Sequence, residues 1–375
     1  MTFDFLRVSP SYEGAGHGRR LRGWNASAAG PVGTVAPGFA TLRNRVRDAC
    51  RNDALAAAIV RSWLSALVGS GIVARTQGAD TVVRTKIDSL WRAWLPEADA
   101  CGAAADFNAF QGHAVRGFVE SGEVFIRLRP RLPSDGLAVP LQLQLLESDM
   151  CPQLDRDLEN GRRIIQGIEY DAIGRRVAYH FMNEHPGDGH GDTTTTSRVP
   201  AEYVSHVFNA ERPGQVRGVS VLAPVLARLR TLGDFNDAVL ERQKIANLFV
   251  AFLEKSPSTG DAAIDPMTGK AVQLDVDGVP IASMEPGTVQ ELLPGESVKF
   301  SEPPGAGADY SDFVRAQIAA ISVGVGGIPA EFLTGDLRDV SDRALRVSLN
   351  EWRRQTEAVQ WAVVIPRVCA FVRNA

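Results

Sequence analysis

The stretch 310–342, YSDFVRAQIAAISVGVGGIPAEFLTGDLRDVSD, contains a helix, a stop, a loop and the start of another helix. Tyr310, Phe313, Val314, Ile318, Ile321 and Val325 recur at three- and four-residue intervals, the period of an amphipathic helix. Gly326-Gly327 and Pro329 end it, and Ser341-Asp342 is a good capping pair for the next one. Between them lie Thr334, Gly335 and Asp336, small or polar residues with no apolar stripe to hold them in a core. The reading predicts an exposed, mobile loop.

Downstream, Leu345, Leu349, Trp352, Val359 and Ala362 share one side of a long helix that reaches Pro366, where a kink is expected. Upstream, residues 256–307 hold seven Gly, seven Pro and eight acidic residues against Lys270 and Lys299, a net charge of −6. Short strands around 272–274, Val279 and Val298 are expected there. Before this insert, Pro224 suits a first helical turn. Phe235, Val239, Arg242, Ile245, Phe249 and Phe252 then mark a helix lasting to about Lys255. Two helices flanking an acidic insert, followed by a loop and a long helix, form the most informative order in the chain.

Further toward the N-terminus the period changes to two. Val124, Ile126 and Leu128 alternate with Arg127 and Arg129, and Leu141, Leu143 and Leu145 with Gln142 and Gln144. Residues 168–170 and 177–181 read as a hairpin, and Val204–Phe208 as another strand. An antiparallel, half-exposed sheet packed on helices is expected. Three helices precede it. One starts near Asn52-Asp53 and runs through Trp63 to Gly69–Gly71, one carries Ile87, Leu90, Trp91 and Trp94, and one carries Phe107 to Phe118 and closes at Gly122. Residues 1–40, rich in Gly, Ala and Arg, read as an extended arm anchored at Tyr12 and Trp24.

The 375 residues are 45% hydrophobic and 22% charged, which excludes a disordered or fibrous chain and suits two or three domains. Forty basic against 44 acidic residues exclude a general electrostatic grip on nucleic acid. Cys50, Cys101, Cys151 and Cys369 lie far apart, against a disulfide framework or zinc ribbon. Asp4 and Arg7 interrupt any signal-like run, and the longest notable charge-free run, 316–330, falls short of the roughly 20 residues a membrane span needs.

Candidate chemistry is sparse. His180, His185 and His190 recur every five residues beside Glu184, Asp188 and Asp192, a spacing that fits neither one strand face nor one helix face. A metal site there is not expected. No GxxxxGK[ST] phosphate loop and no GxSxG elbow occur. Asp275 and Asp277 could do acid–base work, but at i and i+2 in a Gly/Pro-rich insert they read as a solvated face. No catalytic residue, metal or cofactor is expected. Arg338, Arg343, Arg346, Arg353 and Arg354 follow the loop, with seven Arg against four acids from Leu337 onward. They form either a solvated helix face or, in an oligomer, a basic belt facing a polyanion.

Several segments then line up in a telling order. They are Tyr12, Arg19-Arg20 and Trp24; LRNRVRD at 42–48 with Arg51-Asn52; VGSGI at 68–72; GEVF at 122–125; and LESD at 146–149. HVF at 206–208 with RPGQVRGV at 212–219, IPAEFL at 328–333, and Trp352-Arg353-Arg354 follow. In this order the chain resembles the lambda-like portal proteins of tailed bacteriophages. The resemblance implies an α+β portal fold and a ring of about twelve copies at one capsid vertex. Through that ring DNA is packaged and ejected.

It further implies an N-terminal arm at 1–40 and a wing of helices and antiparallel sheet at 41–225. A first stem helix at 226–255, a β-rich clip at 256–307 and a second stem helix at 308–326 would follow, then a tunnel loop at 327–341 and a long wing helix at 342–375. Family members continue past the position of Arg373 into a crown, so a short or missing crown is expected. Thr334, Asp336, Arg338, Arg343 and Arg346 would line the DNA channel. The clip, with Asp275, Asp277 and Glu285, would dock the terminase large subunit and then the head–tail connector. The major capsid protein and double-stranded DNA, bound without sequence preference, complete the implied partners; no membrane is implied. The implied place is the virion's portal vertex, after assembly in the host cytoplasm. The competing readings are a hydrolase or metal-dependent enzyme using His180, His185 and His190, and a soluble adaptor.

Overall fold

The computed structural model describes residues 19–77, 80–189, 195–247, 251–255, 296–300, 310–338 and 340–375. The chain is a mixed helix-and-sheet fold in two compact units, Met1–Arg230 with Ala316–Ala375, and Thr231–Arg315.

In the first unit five helices come first: α1 (Pro31–Val35), α2 (Phe39–Asn52), α3 (Ala54–Leu67), α4 (Thr81–Trp94) and α5 (Phe107–Ser121). Their starts are local chemistry. Asp53 accepts the Ala56 amide at 2.8 Å and Asp106 the Ala109 amide at 2.8 Å, each closing a free N-terminal donor. Asp53 therefore caps α3, but it also ends α2, a helix that was not expected. The extended arm is corrected from residue 31 onward. Pro31 presets the first turn of α1, and Phe39, 3% exposed, pulls α2 into the core. Ile59, Val60, Trp63 and Leu67 of α3 are buried, as are Phe110 and Ala114 of α5, a helix that packs against α3.

Gly122 ends α5 at φ +83°, a conformation that favours glycine, and a Cβ there would strike the backbone of Val219 and Ser220. Strand β1 (Glu123–Pro130) follows at once and lies between β2 (Leu141–Glu147) and β8 (Val204–Phe208) in an antiparallel three-stranded sheet. Phe125 pairs with Leu146 on one side and with His206 on the other. A second, five-stranded antiparallel sheet runs in chain order: β3 (Arg156–Asp157), β4 (Arg163–Ile165), β5 (Ile168–Tyr170), β6 (Arg176–Met182) and β7 (Thr196–Pro200).

The expected single half-exposed sheet is thus two sheets, and the first half of β1 is buried on both faces. Val124 packs under Gly117 of α5, while Phe125 on the opposite face meets Tyr179 and Phe181 of β6, with ring centroids 5.7 and 5.1 Å away. A strand sandwiched this way loses its polar face, so alternation in the sequence is a poor guide to its exposure.

The C-terminal part holds α7 (Tyr310–Gly324), α8 (Ala330–Thr334), α9 (Asp342–Val359), a π-helical stretch Gln360–Cys369, and α10 (Ala370–Asn374). Pro366, where a kink is expected, sits inside the π-helical stretch; a proline lacks the N–H that the helix ladder requires, and the helix winds wider around it. This stretch docks along β8: Ser205 Oγ donates to the Arg367 carbonyl at 2.6 Å, and the Arg367 guanidinium donates to the His206 carbonyl at 3.1 Å. The contacts supply polar partners beside the outer strand of the small sheet.

In the second unit, α6 (Leu226–Asn247) is followed by β9 (Ala251–Lys255), paired antiparallel with β10 (Glu296–Phe300). The helix expected to reach Lys255 is therefore corrected: Ala251–Lys255 is a strand. The stretch around it, LFVAFL at 248–253, is rich in β-favouring residues, and from Ala251 it takes a strand partner in place of a helical stripe. Phe235 of α6 lies against Tyr310 and Phe313 of α7, and the Tyr310 hydroxyl donates to Asn236 Oδ1 at 3.1 Å. The expected strands around 272–274 and Val279 lie outside the described residues. Among the described residues no helix is long and apolar enough to cross a membrane.

Candidate functional site

The segment after α7 is exposed at its tip and locked at its base. Gly326 and Gly327 leave the helix at φ +94° and +71°. A Cβ on Gly326 would lie 2.8 Å from the Trp63 ring, so a side chain is excluded by both backbone and neighbour. Trp63 donates its indole N–H to the Val325 carbonyl at 3.1 Å and meets Trp352 of α9 edge to face at 4.8 Å. Ile328 is fully buried, and its carbonyl accepts from the Ser322 hydroxyl. Gln360 ties the end of α9 to the open C-terminal carbonyl of Leu67 at 2.6 Å. Three helices thereby grip both ends of residues 325–352.

Against this base, the expected loop at 327–341 is only partly irregular. It contains α8, whose Thr334 donates back to the Ala330 carbonyl at 3.0 Å, and Gly335 closes the turn. Thr334 is exposed. Asp336 is half-buried and accepts from Arg338 Nε and Nη2 at 2.9 and 2.8 Å. Arg338 is therefore engaged by a carboxylate of its own loop rather than waiting for a phosphate. Ser341 caps α9 by accepting from the Ala344 amide at 3.3 Å. Arg343 and Arg346 stand on the first turns of α9, both exposed, with no acidic partner among the described residues. Asp275, Asp277 and Glu285 lie outside the described residues, as does His190.

The two remaining histidines do not share a site. His180 Nε2 is 3.3 Å from Glu169, which also accepts from Arg198 at 2.7 Å and Arg162 at 3.1 Å. Hydrogen bonding from Arg198 holds the Glu169 carboxyl below its ordinary range. His185 instead gathers with Glu147 and Asp149, a trio close enough to hold a cation. Arg47 already bridges both carboxylates at 2.6 and 2.8 Å, and Arg43 takes Asp149 at 2.6 Å. The Gly187 amide donates to His185 Nδ1 at 3.1 Å, which leaves the proton of the neutral ring on Nε2, facing the acids. A donor N–H and two engaged carboxylates make an ion-pair cluster, not a metal ligand set.

A buried network escaped the sequence reading, although its members come from the quoted segments. Glu123 of GEVF is fully buried and accepts from Ser148 Oγ, Arg217 Nε, His206 Nε2 and the Gly218 amide at 2.7–2.9 Å. Arg217 of RPGQVRGV donates onward to the carbonyls of Cys151, Gln166 and Ser148 at 2.9–3.0 Å and lies 4.8 Å from the Phe39 ring centroid.

Burial alone would raise the Glu123 carboxyl. The Arg217 charge and then His206 overcome it and hold the group well below the carboxylate range. Burial pushes His206 down to about 4, so near neutral pH it is uncharged. Nδ1 lies 3.2 Å from Arg176 Nη1, an acceptor for that guanidinium, while Nε2–H donates to Glu123. One carboxylate, one guanidinium and a neutral imidazole join both sheets and α2. Sequence periodicity could not find this: a buried Glu in a strand looks like a solvent-facing position until its partners arrive.

Fold and motif order both have counterparts among known proteins. The family described as "Phage portal protein, lambda family" matches residues 17–360, and the chain belongs to this family of structural virion proteins. Among relatives, the "Probable portal protein" of Halomonas phage phiHAP-1 is 27% identical over 319 residues, 82% of this chain. The chain covers 60% of that relative, less than two thirds of its length. "Portal protein B" of Escherichia phage lambda is 22% identical over 386 residues, with 92% of this chain and 70% of the relative covered. Two solved structures share the fold. One is titled "Neck of empty GTA particle computed with C6 symmetry", at TM-score 0.51 and 13% identity, covering 92% of this chain and 85% of that one. The other is titled "Virion of native gene transfer agent (GTA) particle", at TM-score 0.51 and 12% identity, covering 90% and 82%.

Proposed function

We propose that this chain is the subunit of a portal ring at one capsid vertex, the conduit for packaging and ejecting double-stranded DNA. The observation that carries the reading is the short segment after Pro329, exposed at Phe332, Thr334, Gly335, Leu337, Arg338 and Ser341, braced at its base by the Trp63–Trp352 anchor and followed by two arginines with no acidic partner among the described residues. Ring symmetry multiplies Arg343 and Arg346 into a belt. Such a belt touches phosphates without reading bases, and the Asp336–Arg338 pair beside it keeps the local charge low. A conduit needs weak contact, because DNA that adheres cannot slide.

In this scheme residues 41–225 form the wing, and α6 and α7 the stem. The clip lies between them, residues 327–341 are the tunnel loop, and 342–375 the helix behind it. Imaging of the purified protein by electron microscopy tests the ring: closed particles with Arg343 and Arg346 facing the axis support it. A monodisperse monomer, or these side chains turned away from the axis, defeats it. Replacing both arginines by Ala should leave rings assembled and shorten packaged DNA. It should also flatten the salt dependence of DNA binding by about 0.9 in log–log slope for each phosphate no longer neutralised.

The clip is the docking face for the terminase large subunit and later for the head–tail connector, with the major capsid protein around the wing. What supports this is the net charge of −6 over residues 256–307, a uniform sign suited to a basic partner. Reversing Asp275, Asp277 and Glu285 to Lys should weaken terminase binding at least tenfold in a pull-down titration while rings persist. Unchanged binding removes the clip assignment. The nucleotide-consuming motor is the partner; this chain carries the channel.

A further inference from the structure

One helix of the first unit is half covered. Along α4, Val83, Ile87, Leu90, Trp91 and Trp94 follow the helical period as one apolar stripe. Its C-terminal half is docked: Trp94 is 3% exposed, and Trp91 packs against Trp94 and Phe107 at centroid distances of 5.1 and 5.7 Å. Its N-terminal half is not. Every residue from Thr81 to Ile87 is exposed, with Val82 at 75%, Val83 at 50% and Ile87 at 44%. Val73, 67% exposed, extends the patch past a shallow pocket beside Asp88 and Trp91. A helix of this length draws most of its stability from packing of its apolar face, so two uncovered turns ending in aliphatic side chains mark a surface awaiting a partner. Four cations on and beside the helix, Arg75, Arg84, Lys86 and Arg92, are exposed, against two acids that are already engaged: Asp88 by the Thr76 hydroxyl at 3.2 Å and Asp80 by the Thr81 amide at 2.7 Å.

The complement is on the same chain. Beside the end of β2 lies a hollow of about 370 Å3 floored by Leu145, Leu146 and Met150, with Asn183, Glu184, His185 and Asp188 on its rim beside Glu147, the carboxylate that Arg47 already holds. Glu147 and Asp188 are 58% and 73% exposed, and Glu184 is exposed as well. An apolar projection flanked by cations and a hollow with an apolar floor and a mainly acidic rim, where Glu184 and Asp188 stand exposed, are two different, complementary faces, which is what a head-to-tail contact between identical subunits requires. We infer that the uncovered half of α4 is the face by which one copy of this chain grips the next, seating in the neighbour's Leu145–Met150 hollow against its acidic rim. The inference rests on the ring reading and adds to it the pair of surfaces that close the ring.

The test uses the full chain. Wild-type protein should run as a closed ring in light scattering and negative stain. Val83→Glu with Ile87→Glu, both solvent-facing and so harmless to the fold by circular dichroism, should yield monomers. Lys86→Glu alone should slow assembly at least tenfold, and Asp188→Lys in the same chain should restore it. In a Cys101→Ser background, Lys86→Cys with Asp188→Cys should, on oxidation, give a ladder of covalent oligomers on a non-reducing gel, whereas either cysteine alone stops at dimers. A wild-type monomer overturns the ring reading and the inference together. Intact rings in the double-Glu variant overturn the inference alone, including the case where that variant loses only the capsid protein and so assigns α4 to the shell. Rings that give no ladder overturn the pairing with the hollow.

Discussion

Arg217→Ala should destabilise the first unit severely, shifting its urea midpoint far below that of the wild type. The side chain is 2% exposed and makes hydrogen bonds to Glu123, Ser148, Cys151 and Gln166, so its loss strands a carboxylate with no counter-charge and frees three carbonyls in a dry site. Breaking one side of a buried pair costs about 3–5 kcal/mol, a large part of the roughly 5–15 kcal/mol that holds a domain together. Lys at 217 offers one ammonium where a planar fork reaches three directions, so Arg217→Lys should recover little. Glu123→Gln with Arg217→Met should lose clearly less than the two single variants added, because the double change leaves no unpaired charge. Urea titrations followed by circular dichroism measure all five variants.

Acid attacks the same network. Glu123 is held below its unfolded value, so its stabilisation is present above the unfolded carboxylate range and is lost as pH falls toward the folded one. His206 is pushed down to about 4; as pH drops from the ordinary histidine range toward that value, the unfolded chain takes up a proton that the folded chain refuses. Both shifts have the same sign. Melting temperature should fall steadily from pH 7 to pH 4, and Glu123→Gln should flatten the lower part of that slope.

Trp63→Ala carries the second large effect, and it lands on function. The indole is 5% exposed, bonds the Val325 carbonyl and wedges against Trp352 and the Gly326 backbone. Deleting a buried Trp costs about 3–5 kcal/mol through lost transfer energy and the cavity left behind. Here the cavity opens beneath the exit of α7, so residues 326–341 should become the earliest site of limited proteolysis and of fast amide exchange. Rings that still assemble should package DNA poorly, because the segment no longer meets the axis in one register. Trp63→Phe keeps the ring contact but not the N–H and should lie between. Proteolysis rates unchanged from wild type would show that the base does not depend on this anchor.

Sequence alone determined what contacts between near neighbours encode. The caps at Asp53 and Ser341 each act within three residues, and Gly122 stops its helix through its own backbone freedom. The hairpin of β5 and β6 and the stripes of α3, α5 and α9 are legible for the same reason, as is the order of motifs that marks the family. Tertiary structure decided the rest. Ala251–Lys255 is a strand because a partner 41 to 49 residues away pairs with it, which overrides a stripe that local reading takes for helix. Glu123 and Arg217 stand 94 residues apart, and neither position shows that the other will arrive to share its buried charge. Arg338 and Arg343 look alike in the sequence; only the turn at Asp336 gives one a carboxylate and leaves the other to solvent. The half-covered stripe of α4 is the same distinction in apolar form, since a periodic pattern states that a helix has a face to bury and the folded chain states how much of it has been buried.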